Sequence, residues 1–406
     1  MKNLGVIFGG VTCEHDVSVV TGLQLIENVD KKKYNIIPIY IHSDGNWYTG
    51  EKLLDAKIYK KFNSHIPGIK EAIIPPNKAG LVIAEKLPLV KDKFIPLDVV
   101  IPAMHGMNGE DGTLQGLLEL ANIPYSSSGV LGASVGMDKI LMKKVFESFD
   151  IPVLPYTYFL RDEWKKNSED VIKMIESKLQ YPMFVKPSNL GSSIGISKAK
   201  DKDSLIQAIE VAISYDSRIV VEKAVENITE INCSALGYKD DVEVSCCEEP
   251  LSWKEFLTFE DKYLRGGKSS KGGAKTAPTK IANMPVAGSK QGGSMENMDR
   301  RIPANIPDEQ TNEIKELTKK TFKALYSKGV VRIDYIIDKD ENKVYINEIN
   351  TIPGSFAFYL WKHDGMEYSK LIDRLVDIAE KAHDDKIKNN YTFDSNIIGN
   401  ITKIEK

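Results

Sequence analysis

The chain has 406 residues, too many for one ordinary core and enough for two or three domains. An apolar fraction of 42% and a charged fraction of 27% are those of a soluble globular protein. A net charge of −3 gives no basic field for nucleic acid or an anionic membrane, and no apolar run nears the ~18 residues of a spanning helix.

The first residues enter a strand with no leader layout, so the expected location is cytoplasmic. Cys13, Cys233, Cys246 and Cys247 lack zinc spacing, which predicts reduced thiols, and the dispersed histidines predict no His metal cluster.

Leu4 to Phe8 reads as a short apolar strand. Gly9-Gly10 and a segment reaching Ser18 follow, then a helix through Leu23, Leu25 and Ile26. A strand, a glycine turn and a helix N-terminus make an anion site. The spacing is not the dinucleotide fingerprint, so NAD is not expected. Glu14 stands either where a small ligand could meet it or as a helix cap.

Tyr34 to His42 and Leu97 to Ala103 read as further strands, the latter followed by a glycine-rich loop, Met104 to Gly116, that opens a helix. Strands alternating with helices predict a parallel sheet with ligands at the carboxyl ends of its strands. His105, flanked by Gly106, Gly109 and Gly112, would lie there.

The character of the chain changes around Ser126 to Gly129, and a domain boundary is expected near residue 135. Met137 to Lys144 begins a helix. Phe184 to Lys186 is a strand, and Asn189 to Gly195 a loop rich in hydroxyls and backbone N–H groups that can fold over phosphates. Lys139 and Lys186 could bind phosphate oxygens or be solvated surface residues. Arg218 to Val225 is another apolar strand, at whose edge an adenine could bond to backbone while Glu222 or Glu230 holds a ribose hydroxyl.

Asp308 to Leu325 has the pattern of an amphipathic helix, and Glu367 to Ala382 of a final one; the tail beyond Lys386 is polar. Between them lie two β-branched and aromatic runs, Val331 to Asp338 and Val344 to Gly354. Period-two alternation puts Arg332 and Asp334 on one strand face and Glu348 and Asn350 on another. If the strands are neighbours, Asp334, Glu348 and Asn350 aim at one spot. Hard oxygen donors suit Mg²⁺ together with substrate phosphates, and Arg332 beside them favours a phosphoryl-transfer site over a polar sheet face with a turn at Asp340 to Asn342.

Several segments, in this order along the chain, resemble the D-alanine:D-alanine ligases of the ATP-grasp superfamily. They are Gly9-Gly10 with Glu14-His15-Asp16-Val17-Ser18, His105-Gly106 with Gly109-Glu110-Asp111-Gly112, Met137-Asp138-Lys139, and Val185-Lys186-Pro187 with Gly191-Ser192-Ser193-Ile194-Gly195. They continue with Asp261-Lys262-Tyr263, Arg332-Ile333-Asp334, and Asn347-Glu348-Ile349-Asn350-Thr351-Ile352-Pro353-Gly354. The match runs from Leu4 to about Ile378.

The resemblance implies an α/β ATP-grasp fold with an N-terminal parallel-sheet domain, three domains in all. These would be an N-terminal substrate domain (1–135), a central ATP-grasp subdomain (136–225) and a C-terminal one (226–406) carrying the metal site. It implies that ATP phosphorylates one D-alanine and the amine of a second attacks the acylphosphate, for peptidoglycan precursors. Glu14 would hold the first ammonium, with His105 near its carboxylate. Lys139, Lys186, Ser193 and Lys262 would contact phosphates; Glu222, Lys223, Val225, Glu230 and Phe256 would surround adenine and ribose. Ser192 and Tyr263, bonded to Glu14, would close the site; Asp334, Glu348 and Asn350 would hold two Mg²⁺ or Mn²⁺; Arg332 and the Gly354 N–H would stabilise an oxyanion. Members of the family are generally homodimers.

The sequence departs from the family pattern in two places. Tyr359, followed by Leu360, stands where the family commonly has the Ser that receives the second substrate's carboxylate. Tyr263, where ester-forming relatives carry His, favours an amine nucleophile, with D-serine, then D-lactate, as alternative second substrates. Lys262 to Arg301 is longer than the usual loop and basic, so it is expected to be mobile without ligand, either a tolerated insertion or a lid over ATP. An inactive nucleotide-binding homologue is the alternative of another class; the intact set Glu14, Ser192, Tyr263, Arg332, Asp334, Glu348 and Asn350 argues against it.

Overall fold

The computed structural model describes residues 1–83, 91–251, 300–393 and 395. Its first sheet contains β1 (Lys2–Gly9), β2 (Tyr34–Ile41), β3 (Trp47–Thr49), β4 (Lys70–Ile73), β5 (Gly80–Ile83), β6 (Lys93–Pro96) and β7 (Val99–Pro102), ordered β6-β5-β4-β3-β2-β1-β7. The expected parallel strands are its β2-β1-β7 part. β1 is buried from Leu4 onward, as a strand covered on both faces must be, which accounts for its unbroken apolar run. The sequence reading lacked β3 to β6, an antiparallel extension of three- and four-residue strands too short to show a period. Because β1 and β7 run parallel, Gly10 and His105 emerge at the same end of the sheet.

The helices that follow are α1 (His15–Asn28), α2 (Thr113–Leu120), α3 (Val130–Met137), α4 (Lys139–Ser148), α5 (Arg161–Lys166), α6 (Ser168–Glu176) and α7 (Lys202–Tyr215). Asp138 separates α3 from α4. Its extended backbone ends one helix, and its carboxylate accepts the Ile140 and Leu141 N–H groups, both at 3.0 Å, to cap the next. The same carboxylate accepts the Ser188 hydroxyl at 2.8 Å and pairs with Arg218, tying α4 to the second sheet.

That sheet contains β8 (Tyr156–Leu160), β9 (Met183–Pro187), β10 (Ser197–Ala199) and β11 (Arg218–Lys223), ordered β10-β9-β11-β8 and antiparallel. The third contains β12 (Ile228–Tyr238), β13 (Asp241–Pro250), β14 (Arg300–Arg301), β15 (Lys328–Asp338) and β16 (Lys343–Asn350), ordered β14-β13-β12-β15-β16 and antiparallel. The helix Asp308–Ala324 covers this sheet through Ile314, Thr318 and Phe322. The helix Tyr368–Lys386 binds the first and third sheets together: Leu371, Ile372 and Leu375 share one core with Val6, Ile101 and Val330. Among the described residues, no helix is long and apolar enough to cross a membrane.

Candidate active site

A cleft opens where loops of the first and second sheets meet one face of the third. Antiparallel pairing sets that face. Asp334 on β15 lies opposite Glu348 on β16, and Arg332 opposite Asn350, so residues two apart on each strand share the face. The Arg332 guanidinium donates to both Asp334 oxygens, Nε at 2.7 Å and Nη2 at 2.8 Å, and the Asn350 amide donates to Asp334 at 3.1 Å. Burial would pull the proton off Arg332, but the Asp334 carboxylate outweighs it and holds the group well above its usual range.

The row continues where the sequence reading saw no strands. Asp334 also pairs with Asn232 on β12, and Asn232 with Glu248 on β13, so Glu348, Asp334, Asn232 and Glu248 cross four strands on the cleft side. The signal was present: Glu230, Asn232 and Ser234 alternate with Ile231, Cys233 and Ala235.

Loops close the cleft from the other side. Glu14 occupies the N-cap position of α1 but makes no capping bond; it is buried, and its carboxylate accepts the Ser192 hydroxyl. Gly106 and Gly191 press against it, and a Cβ on them would lie 2.5 Å and 2.8 Å from Glu14 Oε2. Only glycine lets both loops approach this carboxylate. Ser193, beside Ser192 with a positive φ of 60°, also lines the cleft.

His105 is engaged by protein on both ring nitrogens. Nε2 is hydrogen-bonded to Thr21 Oγ1 at 2.8 Å, the same oxygen that accepts the Ser355 N–H at 3.3 Å, and the other nitrogen bonds backbone at Ile352. Burial, aided by Arg332, pushes the imidazole down to about 4 and keeps it neutral. The ring therefore braces the segment leading to Gly354. Glu110, which the sequence reading missed as a site residue, does the same: it accepts the Gly106 N–H at 2.8 Å and the Ile352 N–H at 3.0 Å. Burial and the nearby Glu14 push its carboxyl up to about 8. After Gly354, Ser355, Phe356 and Ala357 all take positive φ, between 50° and 56°, a costly turn held by these braces.

Two cations face the cleft beside the carboxylates. Lys139 Nζ donates to Leu190 O at 2.6 Å and lies 3.7 Å from Glu348. Lys186 Nζ donates to Glu222 at 2.6 Å and to Asn347 at 3.3 Å. Glu222 does not line the cleft. It is buried beneath it between Lys186 and Lys143, the latter at 3.2 Å and fully buried. Burial would raise this carboxyl, but the two ammonium groups reverse that and hold it at about 2.

Of the other expected nucleotide residues, Glu230 lines the cleft. Lys223 instead pairs with Glu341 at 3.0 Å near solvent, and Val225 is half-buried and not among the residues that line the cleft. Tyr359 lines the cleft, whereas the Leu360 side chain lies wholly in the core. Phe256, Lys262 and Tyr263 fall outside the described residues, as does the expected loop 262–301 apart from Arg300 and Arg301.

Asp334, Glu348 and the Asn350 carbonyl offer oxygen alone, a donor set that fits Mg²⁺ or Mn²⁺ and not a thiolate- or imidazole-seeking metal.

Residues 3–128 match the family model described as D-ala D-ala ligase N-terminus, and residues 145–284 and 289–377 the one described as D-ala D-ala ligase C-terminus. The chain is 37% identical to a D-alanine–D-alanine ligase of Thermosipho africanus over 100% of both chains. It is 39% identical to one from Caldicellulosiruptor bescii over 93% of this chain and 94% of that one. Among solved structures it resembles the VanG D-Ala:D-Ser ligase of Enterococcus faecalis, with a TM-score of 0.75 and 30% identity over 93% of this chain and 99% of that one.

Proposed function

The chain belongs to the D-alanine–D-alanine ligase family, and on that premise we propose that it uses ATP to join two D-alanines into D-alanyl-D-alanine for peptidoglycan synthesis. The observation that carries this reading is the junction of the Arg332, Asp334, Glu348 and Asn350 face with the Glu14–Ser192 pair across one cleft.

In this reading Glu14 receives the ammonium of the first D-alanine, and the Ser192 hydroxyl fixes the orientation of its carboxylate. Lys139, Lys186 and Ser193 hold ATP phosphate oxygens, and Glu222 holds the Lys186 ammonium in place from below. Phosphoryl transfer to the D-alanine carboxylate releases ADP. The second amine then attacks the acyl carbon, forming the C–N bond and a tetrahedral intermediate; the nitrogen loses a proton, and the intermediate collapses as the C–O bond to phosphate breaks. Arg332 and the Gly354 N–H donate to the oxygen that becomes negative in the tetrahedral intermediate, where one such donor is typically worth about 3 kcal/mol. His105 and Glu110 keep the Gly354 segment in register with the loop around Glu14. Bound Mg²⁺ or Mn²⁺, two ions in our reading, would be held by Asp334, Glu348 and Asn350 and would neutralise phosphate charge.

The family motif assigns Lys223, Val225, Glu230, Phe256 and Lys262 to the nucleotide, Tyr263 to closure, and Tyr359 and Leu360 to the second substrate. We further propose units of 1–135, 136–225 and 226–406, and a cytoplasmic homodimer. The test is ATP-dependent phosphate release with D-alanine alone, the product identified by mass spectrometry. D-alanyl-D-alanine supports the reading; a product only when D-serine or D-lactate is added moves the specificity; no product despite ATP binding refutes it.

A further inference from the structure

The cleft face of the third sheet has two ends. At one, Glu348 and Asp334 stand beside Lys139; at the other, on β13 and β14, stand Glu248 and Arg300. Adjacent strands lie about 4.8 Å apart, so these ends are separated by roughly the length of a small amino acid and its reacting neighbour. At the second end the Arg300 guanidinium lies over the Tyr359 ring, 3.9 Å from its centroid, and Arg300 Nη1 is 3.1 Å from Glu248 Oε1. All three side chains are largely withdrawn from water, with Arg300 and Glu248 only 10% and 4% exposed. A buried ion pair is a poor way to gain stability, so its place on the cleft wall calls for another account.

We infer that Arg300, set on Tyr359 and oriented by Glu248, binds the carboxylate of the second, amine-donating substrate and so selects it. The chemistry favours an α-amino acid. A guanidinium carries five N–H donors and can hold more than one acceptor at once, a planar carboxylate among them, and stacking on an aromatic ring fixes its plane. A Tyr side chain reaches farther than the Ser common in the family, and here its ring carries the cation instead of its hydroxyl alone meeting the ligand. Glu248 is then a positioning residue: it neutralises Arg300 while the site is empty and bonds the Tyr359 hydroxyl. Placed between this end and Arg332, the second substrate would present its amine toward the acyl carbon and its carboxylate away from the phosphates, where like charge would repel it.

This inference rests on the ligase reading, and the two can fail separately. Hydroxylamine traps the acylphosphate as a hydroxamate without needing the second subsite. Acceptor choice is read by competing D-alanine with D-alaninamide, which keeps the amine and lacks the carboxylate. The wild-type protein should form hydroxamate and prefer D-alanine as acceptor. Arg300→Met should keep hydroxamate formation within about two-fold while the preference over D-alaninamide falls on the order of 10- to 100-fold, the worth of one charge-assisted pair. Arg300→Lys, which keeps charge but loses the planar fork, should fall between, and Glu248→Gln should weaken the preference less than Arg300→Met. Unchanged acceptor preference in Arg300→Met overturns the inference, as does a parallel loss of hydroxamate and dipeptide in both Arg300 variants, the mark of a merely structural pair. Absence of hydroxamate and dipeptide from the wild type overturns the ligase reading and the inference with it.

Discussion

Two clusters of charge sit at this cleft, one half-buried and one buried, built from similar parts. Arg332, Asp334 and Asn350 lie on the face of the third sheet with their polar groups lining the opening. Lys143, Glu222 and Lys186 lie at the second sheet, and only Lys186 reaches the lining. In the first cluster, on the proposed function, the bidentate pair aims a cation at substrate. In the second, a carboxylate held at about 2 between two ammonium groups fixes where the cleft lysine Lys186 points. Charge alone does not separate the two clusters; exposure to the cleft does.

Replacing the hub of the scaffold should have the largest effect. Glu222→Leu leaves Lys143 and Lys186 buried without their common partner, and removing one member of a buried ion pair typically costs about 3–5 kcal/mol. Urea denaturation should show that loss in the absence of nucleotide. If Glu222 is instead chiefly a ribose or adenine ligand, stability will hold and the KM for ATP will rise, and the distinction between the clusters collapses.

Arg332→Met should do the opposite. It removes a donor to the developing oxyanion, and kcat should fall by about 10²–10³-fold, or roughly 3–4 kcal/mol, with hydroxamate trapping less affected than dipeptide formation. The Asp334 carboxylate loses its partner but lies at the cleft, where water and lysine are near, so unfolding should shift less than for Glu222→Leu. An Arg332→Met protein with near-normal turnover would place the oxyanion elsewhere.

The first cluster was legible because strand alternation is local: Arg332 and Asp334, and Glu348 and Asn350, are two residues apart, and period two is enough to put each pair on one face. The ATP-grasp α/β architecture followed from motif order. The scaffold was not legible, since Lys143 comes from α4 and its burial depends on how α4 packs against the second sheet. The placing of the Leu360 side chain was not legible either: it lies wholly in the core, just after the positive-φ turn from Ser355 to Ala357, so that only its backbone could meet a substrate. Asn232 and Glu248 belong to a cross-strand row, and Arg300 sits opposite Pro250 one strand over; sequence spacing cannot join them, because pairing across β12, β13 and β14 is set by the sheet.

The braces between the two sides offer a pH test. His105 is pushed from an ordinary 6.5 down to about 4, so its folded-state value lies below its unfolded one. Between those values the unfolded chain binds more protons, and stability rises with pH; the contribution is complete above about 6.5 and is lost as pH falls toward 4. Comparing wild type with His105→Asn by urea denaturation across that window should show an advantage of the wild type that shrinks by up to about 3 kcal/mol on acidification. By NMR, the ring should stay neutral above about pH 5. An imidazole that titrates near 6.5 would mean that the ring is not buried between Thr21 and Ile352 but open to water, and so within reach of the substrate carboxylate.

The smallest effect should come from the hydroxyl that joins loop to loop. Ser192→Ala removes one hydrogen bond to the buried Glu14 carboxylate, a bond to a charged group worth about 2 kcal/mol. Glu14 keeps its charge, so the first D-alanine still binds, but its carboxylate is less constrained. The loss should appear as a roughly 30-fold fall in kcat/KM for D-alanine with little change in the KM for ATP. Because Ser192 sits at positive φ, Ser192→Gly separates the two contributions: it relieves the backbone while removing the same hydroxyl. If both variants lose activity equally, the hydroxyl carries the effect; if Ser192→Gly recovers most of it, the loop conformation does, and Glu14 is held mainly by the glycines that crowd it.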